Sequence, residues 1–226
     1  MEVKPIAYIK TDFPDKFGIP RQSGRAPSLT GRIIFLPEYR SADALRGIED
    51  FSHLWLIFDF SRSHRKSWCA TVRPPRLGGN KRVGVFASRS PFRPNPVGLS
   101  AVRLVSVEHT EHDGDVLVVS GADLLDGTPI IDIKPYLRSD AVPDASGGYA
   151  DEFADYKLNV NFPAELLSLI AIDKRDALRE CLADDPRPSY QDDPERVYSM
   201  RFSGADVHFT VSDGTLSVIG VDKENI

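Results

Sequence analysis

Cysteine is nearly absent from this chain: Cys69 and Cys181 are the only two among 226 residues. Two isolated thiols make neither a disulfide framework nor a metal-ligand spacing, so both are expected as free thiols of a reducing compartment, and neither has the setting of a nucleophile. Long apolar runs are missing too. No stretch approaches the roughly 18 apolar residues that suggest a membrane span, and Met1-Glu2-Val3-Lys4-Pro5 lacks the apolar run of a secretory signal. The expected address is therefore the cytoplasm, with no membrane partner. The signatures G-x-G-x-x-G, G-x-x-x-x-G-K and H-E-x-x-H are absent, which removes support for dinucleotide, P-loop and zincin chemistry. His53, His64, His109, His112 and His208 form no ligand set by spacing, and no metal is expected.

Acidic residues are also missing over residues 60–107, although the whole chain carries a formal charge of −5. Arg62, Arg65, Lys66, Arg73, Arg76, Lys81, Arg82, Arg89, Arg93 and Arg103 all fall in that interval. Such a block can neutralise phosphates and release counterions, while the acidic remainder keeps the molecule soluble. An anionic partner is the first expectation. A solvated rim of scattered arginines is the plain alternative.

Short apolar or alternating runs bounded by turn residues predict strands over 6–10, 32–36, 53–60, 82–87, 101–107, 115–121, 129–133 and 157–162. Helical pattern is scarce before residue 160, with two turns expected over 42–48 after Ser41. A doubly wound parallel sheet needs a crossover helix after nearly every strand, so a mainly β, antiparallel barrel or sandwich is expected over 1–162. The texture changes at Pro163. Helical spacing over 164–171 and 173–182 precedes strands over 198–202, 207–211 and 216–221, separated by Ser203-Gly204 and Ser212-Asp213-Gly214. Residues 163–226 therefore read as a small α+β appendage packed on the barrel.

Three segments are stiffer than a β scaffold requires. In Arg73-Pro74-Pro75-Arg76-Leu77-Gly78-Gly79-Asn80 two prolines fix the backbone between guanidinium groups. In Ser88-Arg89-Ser90-Pro91-Phe92-Arg93-Pro94-Asn95-Pro96-Val97-Gly98, Asn95 is clamped between prolines, which lowers the entropy lost when its amide binds. The third is Leu125-Asp126-Gly127-Thr128-Pro129, continuing through Asp132, Lys134 and Tyr136. Each alone is compatible with an ordinary exposed loop; together they are what binding sites on β scaffolds are made of. His53 is expected as a hydrogen-bonded strand residue and Trp55 as core, while Trp68 in the basic block either packs at a rim or stacks on a base.

The strings Pro20-Arg21-Gln22, Phe51-Ser52-His53-Leu54-Trp55, Thr71-Val72-Arg73-Pro74-Pro75-Arg76 and Phe92-Arg93-Pro94-Asn95-Pro96 resemble the TsaA/TrmO family. Asp126-Gly127-Thr128-Pro129, Asp132-Ile133-Lys134-Pro135-Tyr136, Pro143-Asp144-Ala145 and Asp185-Pro186-Arg187-Pro188 continue the match over nearly the whole chain. The resemblance implies a tRNA adenine-37 N6-methyltransferase acting on N6-threonylcarbamoyladenosine in the anticodon loop. It further implies a single-sheet antiparallel β-barrel holding S-adenosyl-L-methionine, a homodimer, and a carboxy-terminal domain that assists RNA binding. Carried over by position, the cofactor contacts are Pro20, Arg21, Gln22, Arg89, Leu99, Asp126, Gly127, Thr128 and Pro129. Ser61 and Arg62 occupy a further cofactor-lining position, where the family commonly has a His-Gln pair and this chain departs.

On that basis Asp126, Asp132, Tyr136 and the Asn95 carbonyl are the candidate acceptors for the proton of the target nitrogen. Arg89 or Arg93 would pair with a carboxylate of cofactor or substrate, with Lys134 a second choice. The basic block, including Arg65, Lys66, Arg73, Arg76 and Arg82, would engage stem phosphates. A non-catalytic RNA-binding barrel and a methyltransferase of the same fold with another substrate are the alternatives.

Overall fold

A computed structural model of the chain describes residues 2–74, 77, 81–188, 191 and 193–223. Its first unit contains β1 (Ala7–Lys10), β2 (Thr30–Phe35), β3 (His53–Asp59), the short β4 (Thr71–Val72) and β5 (Val83–Gly84), β6 (Val97–Thr110), β7 (Gly114–Ser120) and β8 (Thr128–Pro135). Side chains alternate: in β3, Leu54, Leu56 and Phe58 are buried while Trp55 and Ile57 look outward. A slip of one residue would turn the whole apolar set to water, so the pattern fixes the register. Six strands pair antiparallel in the order β1-β2-β7-β6-β3-β8, and β8 returns to β1 to close a barrel. At one point β6 passes very near β3. Gly98 faces Phe58, and a Cβ there would stand 2.2 Å from the ring, so only glycine lets the two strands pair with the ring inside.

Some expected elements differ. Of residues 82–87 only Val83 and Gly84 are strand, because their partner β4 offers two residues, Thr71↔Gly84 and Val72↔Val83; Val85–Ala87 then coils into a 3-10 turn. The helix expected over 42–48 is two 3-10 turns, Ala42–Leu45 and Ile48–Asp50, split at Gly47, whose φ of +83° lies outside any right-handed helix. Trp55 is on the outer face of the barrel, not in its core.

The strand expected over 157–162 forms as β9 (Asn159–Asn161), yet not in the barrel, where β8 and β1 have already closed the ring and left no edge. It pairs in parallel with β12 (Thr215–Lys223) in a sheet ordered β10-β11-β12-β9, with β10 (Tyr198–Phe202) and β11 (Ala205–Ser212) completing it. By pairing, then, the second unit begins before residue 159 and not at 163. Two helices cover this sheet: α1 (Ala164–Leu167), shorter than expected because Ala171 turns extended, and α2 (Arg175–Ala183), which buries Ala177, Leu178, Cys181 and Leu182. Ser203 and Asp213 adopt positive φ ahead of glycines, which closes both hairpins.

The two units share a segment. Phe13, Ala26 and Leu29, from the connection between β1 and β2, are buried in the core of the second unit. Lys174 pairs with Asp12 at 2.8 Å, and Glu180 accepts from the Ser28 amide and hydroxyl at 2.8 and 2.9 Å. The Pro20-Arg21-Gln22 loop is thereby held between barrel and appendage.

Candidate active site

Three stretches that are distant in sequence meet around one open cleft of ≈ 1470 Å³. Arg21, Gln22 and Arg25 come from the shared segment, residues 147–154 from the connection after β8, and most of the remaining lining from residues 63–94. The acid-free block thus collects on one surface: Arg65, Lys66, Arg73, Arg82, Arg89 and Arg93 all line the cleft. Among the described residues none of these six forms an ion pair. Arg76 lies outside the described residues.

Not every arginine in the cleft is available to a ligand in the same way. Arg93 Nη1 donates to the carbonyls of Val85, Ser88 and Ser90 at 3.3, 2.7 and 3.4 Å, which folds the 85–90 segment around it. Arg82 donates to Thr71 Oγ1 at 2.9 Å across the β4–β5 ribbon. Arg21 is drawn backwards into the second unit: its guanidinium donates to the carbonyls of Asp185 and Arg187, and its amide to Asp184 Oδ2 at 3.1 Å. Burial lowers the Arg21 pKa below the usual guanidinium range, with Asp184 and Asp185 opposing that shift. Arg25 pairs with Asp184 and also donates to the Ala154 and Tyr156 carbonyls at 2.8 and 2.7 Å. These contacts hold the loop, leaving Gln22 exposed at its tip.

Asp123 stands beside this loop at the end of β7. Ser100 Oγ donates to its carboxyl at 2.6 Å, the Ser23 backbone supports it, and the charge of Arg89 acts on it. Burial nevertheless dominates and pushes its carboxyl above the usual carboxylate range. A poorly solvated carboxyl facing a cleft arginine is the arrangement that binding sites use to orient charged ligands.

The other expected site residues lie elsewhere on this chain. Asp126 accepts from the Thr11 amide at 3.0 Å and lies 3.8 Å from Lys10 Nζ, Gly127 donates to the Ile9 carbonyl at 2.8 Å, and Thr128 Oγ1 closes on the Leu125 carbonyl at 2.7 Å. The turn through Pro129 is therefore well tied to β1, outside the cleft lining. Leu99, Ile57 and Asp132 sit side by side across β6, β3 and β8 on the outer face, followed by Ala101, Trp55 and Lys134. Asp132 pairs with Lys134 at 2.8 Å, and Tyr136 packs on Trp55 with ring centroids 5.1 Å apart. Pro20 is buried behind Arg21; Ser61 and Arg62 are exposed beside Ser63, which does line the cleft. Asn95 is exposed next to Pro94 on the cleft rim, with its backbone carbonyl accepting from the Val97 amide at 2.8 Å.

Comparison with known proteins gives the family. Residues 8–141 match the tRNA-methyltransferase O N-terminal domain, and residues 155–224 the TrmO C-terminal domain. The chain belongs to the TrmO family. A TrmO-family protein of Escherichia coli K12, named tRNA (adenine(37)-N6)-methyltransferase, is 41% identical over 98% of this chain and 97% of its own. A Pseudomonas aeruginosa protein, named putative S-adenosylmethionine-dependent methyltransferase RcsF, is 42% identical over 92% of this chain and 91% of its own. The crystal structure of TrmO from P. aeruginosa superposes with a TM-score of 0.80 at 36% identity, covering 99% of this chain and 97% of that one.

Sequence reasoning passed over Asp123, Ser100 and the segment 147–154. Asp123 left one signal, a carboxylate between the apolar Ala122 and Leu124 at a strand end. Tyr149 and Phe153, in a 3-10 stretch after the barrel, left none.

Proposed function

We propose that this chain is an S-adenosylmethionine-dependent tRNA adenine-N6-methyltransferase whose substrate is N6-threonylcarbamoyladenosine at position 37 of the anticodon loop. The observation that carries the reading is the cleft: six cations that form no ion pair among the described residues line it together with an exposed Gln22, and the charge of one of them, Arg89, acts on the nearby Asp123 carboxyl. The name borne by the E. coli relative, matched over nearly the full length of both chains, supplies the reaction class. Acting on tRNA, the protein works in the cytoplasm.

The residues present fit the methyl donor. A zwitterionic amino-acid end needs a guanidinium for its carboxylate and an acceptor for its ammonium; Arg89 in the cleft lining suits the first, and Asp123, on whose carboxyl the Arg89 charge acts, is the acceptor proposed for the second. Gln22 adds an amide from the clamped loop, while Pro20 and Arg21 hold that loop in place. Bound S-adenosylmethionine supplies an electrophilic methyl on a sulfonium. The protein's task is then to orient the two reactants within about 3–3.5 Å and exclude water.

Leu99 and the Asp126–Pro129 turn lie away from this chain's own cleft, as do Asp132, Lys134 and Tyr136. A homodimer that sets one copy's outer face of β6, β3 and β8 against the other copy's cleft reunites them. The apolar Val97 and Leu99, 43% and 53% exposed on that face, support such a contact. The target N–H then passes its proton to Asp132 or Tyr136, with the Asn95 side-chain carbonyl at the rim as an alternative hydrogen-bond acceptor for that N–H. Asp126, already bound to the Thr11 amide, serves to shape its turn. Arg65, Lys66, Arg73 and Arg82 take the anticodon-stem phosphates.

The test is methyl transfer from labelled S-adenosylmethionine to tRNA with and without the threonylcarbamoyl group. Label is expected in the modified tRNA and absent from the unmodified one. Equal labelling of both would overturn the substrate, and no labelling would overturn the reaction.

A further inference from the structure

The cleft is larger than a single small ligand requires. Pockets for molecules of cofactor size run to roughly 300–1,000 Å³, against ≈ 1470 Å³ here. The rest of its wall has an unusual composition for a surface so basic. Phe86 is 74% exposed, Trp68 52% and Phe92 36%, and all three line it. Leaving rings in water forgoes the burial that otherwise places phenylalanine and tryptophan inside. These rings are not stray side chains of a frayed segment. Val85 donates to the Ala70 carbonyl at 2.9 Å where the β4–β5 ribbon ends, which brings Trp68, two residues before Ala70, alongside Phe86, one residue after Val85. Their ring centroids are 6.2 Å apart and their planes 33° from parallel. The Arg65 guanidinium lies over Phe92 at 3.7 Å from its centroid, and Arg93 pins the turn that carries Phe86.

Aromatic faces interleaved with guanidinium groups in an electropositive groove suit one occupant above others, an unstacked nucleobase with its phosphates. Among the described residues the lining holds a single carboxylate, Asp151, whose Oδ2 accepts from the Gly147 amide at 2.8 Å. An apolar peptide would gain the aromatic contacts but leave the arginines unmatched; a small anion would do the reverse.

We propose that Phe86 and Trp68 form a stacking platform for bases of the RNA loop that flank the methylated adenine, placed on the same loop as Arg89 so that stacking sets the target's position. This rests on the function proposed above and names the surface that reads the loop. It assigns the two rings a role in substrate binding that is separate from cofactor binding.

The experiment is a set of binding titrations with the full chain and an anticodon stem–loop RNA. Phe86→Ala should raise the RNA Kd roughly 5- to 150-fold, the range produced by removing one base-stacking aromatic. Phe86→Leu, which keeps apolar area without a π face, should lose nearly as much, while Phe86→Tyr stays within about twofold. Calorimetric affinity for S-adenosylmethionine should be unchanged in all three. Saturating RNA should quench tryptophan emission more strongly in the native protein than in Trp68→Phe, which retains only Trp55. Replacing a flanking base by an abasic nucleotide should weaken the native protein but add little to Phe86→Ala.

If RNA binds and Phe86→Ala and Trp68→Ala bind it as the native protein does, the platform is wrong and the proposed function stands. A loss of self-association in Phe86→Ala by sedimentation, with RNA binding intact, would reassign the rings to a protein contact and overturn it equally. If no RNA binds to any form, the proposed function itself fails.

Discussion

Arg25→Met is the substitution whose cost the structure defines best. Asp184 is 2% exposed, and Arg25, itself largely buried, is its ion-pair partner. Removing the guanidinium leaves a carboxylate with no water to replace it. Breaking a buried pair in this way costs about 3–5 kcal/mol. The Arg21 amide, 3.1 Å from Asp184 Oδ2, still solvates the anion, which places the expected loss near the low end, about 3 kcal/mol. The bonds from Arg25 to the Ala154 and Tyr156 carbonyls are exposed, and water replaces them at little further cost. For a chain of this size that loss lowers Tm by roughly 6–12 °C. Thermal unfolding followed by circular dichroism, with urea unfolding for ΔG, measures it. The double variant Arg25→Met/Asp184→Asn should regain about 2 kcal/mol relative to the sum of the singles, because it removes the buried carboxylate together with the guanidinium that pairs with it. A loss under about 1 kcal/mol in Arg25→Met, or additivity in the double variant, would refute the idea that this pair bolts the Pro20-Arg21-Gln22 loop to the second unit.

Other outcomes follow from the same geometry. Arg89→Ala should cut single-turnover methylation at least about tenfold with Tm unchanged; near-native turnover would remove Arg89 from the site. Reversing Arg65, Lys66 and Arg82 to Glu should weaken tRNA binding and flatten the plot of log Kd against log salt by about three charges, and a retained slope would remove them from the phosphate contacts. Asp123 binds protons more tightly folded than unfolded, so it subtracts stability as pH rises from its ordinary 3.8 through its raised value. Asp123→Asn, which keeps an acceptor for Ser100, should therefore gain on the native protein across that window; a constant difference in ΔG would show Asp123 to be solvated. Cys69 is exposed on the cleft and Cys181 buried, its thiol pushed far up by burial. Maleimide should label one thiol in the native state, and tRNA should slow that labelling.

What the sequence showed depended on whether a feature was local. The alternation of Leu54, Leu56 and Phe58 marked β3 because a strand's two faces are written in its own residues. The same rule located every barrel strand but could not assign β9, whose alternation is equally regular and whose partner, β12, lies far along the chain. The missing acids over 60–107 announced the cleft's charge, since composition survives folding. Which arginines face a ligand did not survive so directly. Arg21 and Arg93 look like the others in sequence, yet one is spent on carbonyls of Asp185 and Arg187 and the other on its own loop. Asp123 and Ser100, 23 positions apart, become a pair only through barrel closure.

The most direct test is nucleoside mass spectrometry of tRNA from cells lacking this protein, complemented with the native chain or with Arg89→Ala. The account predicts that N6-methyl-N6-threonylcarbamoyladenosine disappears, that its unmethylated parent accumulates, and that only the native chain restores the methyl group. An unchanged nucleoside profile in the deletion strain would contradict it.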